Sequence, residues 1–308
     1  MKRVYPDYYP KFRCIADQCR HNCCIGWEID IDYATMNKYR RMKGEMGNRV
    51  RSCIKEEGIT GSFILTEDDR CPLLNENGLC DLISVQGEKA LCQICADHPR
   101  FRNRLTDREE IGLGLCCEAA CRLILDHPDP VRLILTDNGR AKKAALNKLE
   151  KKDVEFRDDM LRIAQDRSLP VEQRMDRLLA AAHVRWIEHP FSQWVTLLLS
   201  LERLDEAWTR RLTDTNGEQG SVILPETQLE QLLVYFLYRY LTDRCEWYPM
   251  TKVLFAVLSV RLIRGLCRTP EDVYEVARQY SAEVEYSAEN MNDLMEYLEN
   301  NLEEVWES

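Results

Sequence analysis

Twelve of the fourteen cysteines in this chain lie between Cys14 and Cys121, and ten of those twelve fall in close sets. The sets are Cys14, Cys19, Cys23 and Cys24; Cys71 and Cys80; Cys92 and Cys95; and Cys116 with Cys117. A folding core does not require sulfur at this density, since a free cysteine packs as a small hydrophobe that Ala or Val could replace. The sulfur is there for its bonding chemistry. With 308 residues the chain can bury a sizeable core, so disulfide stapling of a small domain is not needed. The start, Met1-Lys2-Arg3-Val4-Tyr5-Pro6, lacks the apolar run of a secretory signal, and the most apolar stretch, Val253 to Leu266, is cut by Arg261 and Arg264. The expectation is a soluble cytoplasmic protein without a membrane span. In that compartment a cysteine cluster binds metal or does redox work more often than it forms disulfides.

Composition changes near residue 130, at Asp126-His127-Pro128-Asp129-Pro130. Up to Cys121 the chain carries 18 Lys and Arg against 19 Asp and Glu; the rest carries 24 against 33, so the net charge of -10 divides as -1 and -9. Neither part has the clustered basic face that nucleic acid would need. We therefore expect a mainly α chain in two domains. Residues 1–130 form an irregular cysteine-rich metal-binding region with a few short strands, and residues 131–308 an all-α bundle.

In the first part, Tyr5 to Phe12 reads as an irregular entry. Trp27 to Asp32 alternates apolar and acidic residues like a half-exposed strand, and Asp32, or alternatively Asp30, caps a helix over about Tyr33 to Lys43. Ser62 to Thr66 is a second strand candidate. The turn residues Asn75-Glu76-Asn77-Gly78 bring Cys71 and Cys80 together on two arms of a loop. In the second part, helical periodicity appears over Lys142–Asp166, Val171–Glu188, Phe191–Leu204, Glu226–Tyr240, Met250–Leu266, Pro270–Tyr280 and Glu289–Trp306, with prolines at the joints.

Adjacent cysteines do not easily direct both sulfurs to one tetrahedral ion, and only Cys92-x2-Cys95 has the plain spacing of a zinc arm. Iron-sulfur clusters tolerate irregular spacing and take thiolates almost exclusively. With only His21 and His98 close to the cysteines, the donor set favours an iron-sulfur centre, with zinc as the alternative. Cys53, Cys245 and Cys267 read as buried free thiols, and so do Cys117 and Cys121.

The order of motifs is specific. Phe12-Arg13-Cys14-x4-Cys19-x3-Cys23-Cys24-x-Gly26-Trp27 is followed by Cys71-Pro72-Leu73-Leu74-x3-Gly78-Leu79-Cys80. Cys95-x3-Pro99-Arg100 and Cys116-x-Glu118-Ala119-Ala120 complete the series. This order resembles the flagellin lysine N-methylase family over about the first 125 residues and more weakly beyond. The resemblance implies methyl transfer from S-adenosylmethionine to flagellin lysines, with a 4Fe-4S cluster. Carried over by motif position, the family's cysteines are Cys14, Cys19, Cys23, Cys24, Cys71, Cys80, Cys95 and Cys116. Eight thiolates exceed the four that one such cluster needs. Cys53, Cys92, Cys117 and Cys121 are additional to the pattern, and His98 stands where the family has Tyr.

No catalytic residue is assigned from sequence. Arg100 is the candidate for pairing the donor's carboxylate through a two-pronged contact. Trp27 is a candidate to stack on the adenine or to shield the metal centre from water, the second being favoured. Gly112-Leu113-Gly114 lacks the context of a nucleotide-binding loop and reads as tight packing. Glu118 reads as an acidic first-turn residue of a helix. The aromatic run Tyr235, Phe236, Tyr238 and Tyr240 reads as core. Two rival classes stand beside the methyltransferase: a non-catalytic zinc- or iron-binding module, and a redox or electron-transfer iron-sulfur protein.

Overall fold

The computed structural model describes residues 2–137, 139, 145–243 and 247–302. The protein is mainly α, with thirteen α-helices and two small sheets among the described residues. Its contacts divide it into two compact units, one of residues 13–100 with 117–119, the other of residues 1–12, 101–116 and 120–308.

The smaller unit is built on a three-stranded antiparallel sheet in the order Asp30–Ile31, Thr60–Phe63, Ile54–Glu57. The strand expected over Trp27 to Asp32 is confined to two residues. The chain turns into a helix at once, because the Asp32 carboxylate accepts the Thr35 amide at 3.0 Å and starts Tyr33–Arg41. Ile29, Ile31, Met36, Tyr39, Val50, Phe63, Leu73 and Leu82 form its core, and Cys71 and Cys92 are buried in the same cluster. The structure thus sinks one motif cysteine, Cys71, and the additional Cys92 among apolar side chains.

In the larger unit, the first residues are ordered differently from the expected irregular entry. Lys2–Pro6 is a strand, with a 3-10 turn at Tyr9–Lys11. It lies parallel to Arg108–Leu113 and antiparallel to Leu133–Asp137, in a four-stranded sheet whose other edge is Arg100–Arg104. Gly112 lies inside Arg108–Leu113, where an added Cβ would stand 2.3 Å from the Phe101 ring. Gly112 is thus a packing feature.

The helices follow the periodicity with shorter ends. Lys148–Ala164 begins at a capping box in which Asn147 and Glu150 bond each other's backbone amides. Val171–Ala181 stops well before Glu188, where His183 takes a left-handed backbone at φ 57°. Glu226–Tyr240 matches its expected span, and Pro249–Leu266 starts one residue early. Both are buried on nearly every face, as helices at the centre of a bundle must be. A helix at Glu206–Thr213, capped by Asp205, was not visible as a periodic run. The last helix spans Ala288–Asn300, and the expected extension to Trp306 runs beyond the described residues. No helix among the described residues is long and apolar enough to cross a membrane.

Glu283 links this bundle to pH. Its side chain is almost wholly buried, and burial pushes its carboxyl up to about 7, although the Leu204 amide donates to it at 2.9 Å. Between about 4.5 and 7 the folded chain holds a proton that the unfolded chain releases, so stability is greatest at the acid end and falls as pH rises through 7. Glu283→Gln keeps an acceptor for Leu204 and removes the titration. It is expected to flatten that slope and to gain about 1–2 kcal/mol at pH 8. Urea unfolding at pH 5 and pH 8 measures both; an unchanged slope in the variant would show that Glu283 is not its source.

Candidate functional site

Local pairing brings the cysteines of distant motifs together. Residues 24–26 run antiparallel to 69–71: Cys71 donates its amide to the Cys24 carbonyl at 2.7 Å, Gly26 to Asp69 at 2.9 Å, and Ile25 bridges Arg70. The loop expected between Cys71 and Cys80 is present. The Asn75 side chain accepts the amides of Asn77 and Leu79 at 3.0 Å each, Gly78 takes φ 73°, and Leu74 bridges Cys80. Asp32 positions the third arm. Its other oxygen accepts the Gln93 amide at 3.0 Å, fixing the start of helix Gln93–Asp97, whose preceding residue is Cys92. The Tyr39 hydroxyl donates to the Ala90 carbonyl at 2.9 Å and holds the same approach from below.

The resulting thiols interact. Cys24 lies between Cys23 and Cys71 and keeps its proton, because both neighbours accept from it and burial adds to the effect. Cys23 and Cys71 are each held below the usual thiol range, chiefly by that Cys24 thiol. Cys92 and Cys95 form a second pair: the Cys95 thiol lowers Cys92, and Cys92 in turn raises Cys95. Cys95 also feels the charges of Cys71 and Cys23. Backbone amides add to this. Those of Leu73 and Leu74 reach the Cys71 sulfur, those of Leu82 and Ile83 reach Cys80, and that of Cys95 reaches Cys92. Cys80 is nonetheless raised, because burial outweighs its two amides.

The remaining motif cysteines stand differently. Cys14 is exposed, and its sulfur accepts the Ala16 amide at 3.4 Å. Cys19 points to the His21 carbonyl and the Glu118 carboxylate, and burial raises it. Cys116 belongs to the larger unit and is hydrogen-bonded to Tyr286. Among the free thiols, Cys267 and Cys121 are buried and donate to the carbonyls of Ile263 and Tyr274, whereas Cys53 and Cys117 are only half-buried. Cys245 lies outside the described residues. The sulfurs thus gather as a Cys23–Cys24–Cys71 group and a Cys92–Cys95 pair with Cys80 alongside. Among the described residues, no set of three or more His, Cys, Asp or Glu side chains stands in a metal-holding arrangement.

Around the thiols, Trp27 packs its ring 6.3 Å from that of His98, and burial lowers His98 to about 4, so the imidazole is neutral near pH 7. Arg100 directs Nη1 to the carbonyls of Ala96 and His98, both at 3.4 Å, and so is engaged at the end of the Cys95 helix. Glu118 does begin the helix Glu118–Leu125. It also accepts the Arg20 amide at 3.1 Å and pairs with the Arg20 guanidinium at 3.3 Å, a role that sequence reasoning missed. A separation of 98 residues hides such a pair from any local pattern.

A mainly helical protein carrying a thiol-rich unit of this kind is the class that fold and site define. Residues 193–306 match the FliB lysine N-methylase C-terminal domain. The chain is also similar to the lysine-N-methylase of Salmonella typhimurium, 29% identical over 137 residues, which covers 42% of this chain and 33% of the relative. The flagellar biosynthetic protein FliU of Salmonella muenchen is 28% identical over 134 residues, covering 42% of this chain and 79% of that protein. The match to the first of these spans about a third of that relative's length. No solved structure matches.

Proposed function

We propose that the chain is a protein-lysine N-methyltransferase that acts on flagellin with S-adenosylmethionine as donor and holds a cysteine-bound iron-sulfur centre, zinc being the alternative metal. The observation that supports this reading most is the match to the FliB lysine N-methylase C-terminal domain over residues 193–306 in a chain whose smaller unit gathers Cys24, Cys71, Cys80, Cys92 and Cys95 at its core, with the exposed Cys23 beside Cys24.

The donor set suits a soft metal. Amide N–H groups turned to the sulfurs of Cys71, Cys80 and Cys92 stabilise sulfur in its anionic form, which is the form that binds metal. Cys23, Cys24, Cys71, Cys80, Cys92 and Cys95 are the residues that would hold the centre, and when bound it would supply electron storage and cross-link the three arms. Trp27 and His98 would keep water from one side.

In the transfer itself the lone pair of a neutral lysine amine attacks the methyl carbon, the C–S electron pair returns to sulfur to leave a neutral thioether, and the new ammonium loses one proton. The lysine must reach the reaction uncharged, which desolvation favours.

The test is to purify the chain without oxygen and incubate it with S-adenosylmethionine and flagellin. The flagellin mass is expected to rise in methyl steps. Metal-loaded protein that leaves a matched flagellin unmodified would move the chain to the non-catalytic metal-binding class.

A further inference from the structure

The larger unit contains a pocket of about 320 Å3 whose lining includes Phe101, Arg239, Tyr240, Asp243, Trp247 and Glu285. Its floor is a buried polar network. The Glu285 carboxylate accepts the hydroxyls of Tyr235 at 2.9 Å and Tyr240 at 2.8 Å, and pairs with Arg239 at 3.3 Å. The Arg239 guanidinium is ringed by Phe101, Tyr235, Tyr240 and Tyr286, with centroids 5.2, 5.9, 5.3 and 5.1 Å away. Glu285 ends a π-helical stretch, Ser281–Glu285, closed by the Tyr286 amide on the Ser281 carbonyl at 3.2 Å. Such wide turns are frequent at functional sites.

Two charged groups at this pocket keep polar atoms that have no hydrogen bond among the described residues. Arg239 donates through Nη1 to the Tyr235 hydroxyl at 2.6 Å, while its Nε and Nη2 make no hydrogen bond among the described residues. The Asp243 carboxylate likewise has no hydrogen bond or ion pair among them; only the backbone of Asp243 is bonded, its carbonyl accepting from Lys252 at 2.7 Å. The pocket therefore offers a cationic donor pair and a carboxylate together, with the rings of Trp247 and Phe101 beside them. That combination complements a zwitterion joined to a flat ring. A lysine side chain alone would answer Asp243 but would bring no acceptor for the remaining donors of Arg239.

We propose that this pocket binds a nucleoside carrying an α-amino acid head, with Arg239 taking the carboxylate, Asp243 the ammonium and Trp247 a face of the base. The assignment rests on the methyltransferase reading, under which that ligand is the methyl donor, and it replaces Arg100 as the carboxylate partner. A guanidinium and carboxylate pair of charge-assisted contacts fixes orientation as well as affinity, and a volume near 300 Å3 lies at the lower end of small-molecule sites.

Equilibrium dialysis of labelled S-adenosylhomocysteine against the full metal-loaded chain tests this without turnover. Asp243→Asn and Trp247→Ala are each expected to weaken binding about tenfold or more, with melting temperatures unchanged, while Arg100→Ala binds as the parent does. Parent-like affinity in both pocket variants would place the donor elsewhere and overturn this inference while leaving the methyltransferase reading intact. Failure of the unsubstituted chain to bind either S-adenosylhomocysteine or S-adenosylmethionine would overturn both.

Discussion

Replacing Glu110 by alanine is expected to destabilise the larger unit by about 3–5 kcal/mol, a large share of the stability of an ordinary domain. Glu110 and Arg157 are both buried, and the guanidinium grips the carboxylate with two bonds, Nη1 to Oε2 at 2.7 Å and Nη2 to Oε1 at 3.3 Å. The Thr242 hydroxyl donates to the same Oε2 at 2.8 Å, and the Asn103 side chain donates in turn to Thr242 at 3.2 Å. Removing the carboxylate leaves a cation with little water around it, facing Tyr238 at 5.6 Å and retaining, among the described residues, only Asp158 at 2.7 Å as an ionic partner. The cost comes from that stranded charge more than from the lost pair. Converting both residues, as in Glu110→Leu with Arg157→Met, is therefore expected to recover most of the loss. Urea unfolding of the single and double variants decides it: a loss below about 1 kcal/mol in Glu110→Ala would mean that Arg157 finds water or another anion at that depth.

The same buried charges mark where sequence reasoning stops. Asp32 was legible as a helix cap because its partner is three residues away; that its second oxygen also anchors Gln93, 61 residues on, was not. The loop joining Cys71 and Cys80 was legible because Asn75 and Gly78 carry their own turn chemistry. By contrast, Lys2–Pro6 and Leu133–Asp137 each give a weak strand signal alone, and only their pairing across the length of the first part makes them a sheet.

The helical half was readable in outline because apolar residues recur at helical spacing over long spans. What lies inside it was not. Tyr235, Tyr238 and Tyr240 are indeed core residues, yet their hydroxyls bond Glu285, the Val4 carbonyl and the Ile111 carbonyl, partners set by the fold. A tyrosine pattern that would be satisfied by phenylalanine on periodicity alone thus carries the polar network beneath the pocket. The cysteine motifs show the opposite case. Their order carried the family likeness, but Cys92, outside the motif set, pairs with Cys95, while Cys14 is exposed and Cys116 lies in the other unit. Spacing identifies candidate ligands; the fold sorts them.

That sorting predicts which thiols the metal depends on. Cys71→Ser is expected to lower bound metal to about a tenth of the parent content or less, with loss of the visible absorption near about 400 nm if the metal is an iron-sulfur cluster. Cys71 is the hinge of the arrangement: it accepts from Cys24, bonds the amides of Leu73 and Leu74, feels the Arg49 cation, and lies close enough to influence both Cys80 and Cys95. A hydroxyl in its place keeps the volume and loses the soft, readily ionised donor. Cys92→Ser is expected to act in the same direction, since the Cys95 thiol bonds Cys92 and holds it below the usual thiol range. Cys267→Ser and Cys121→Ser, which remove thiols bonded to helix carbonyls, are expected to leave metal content unchanged. Metal analysis after anaerobic purification reads all four, and full retention of metal in Cys71→Ser would disconnect the buried thiols of the smaller unit from the centre proposed for them.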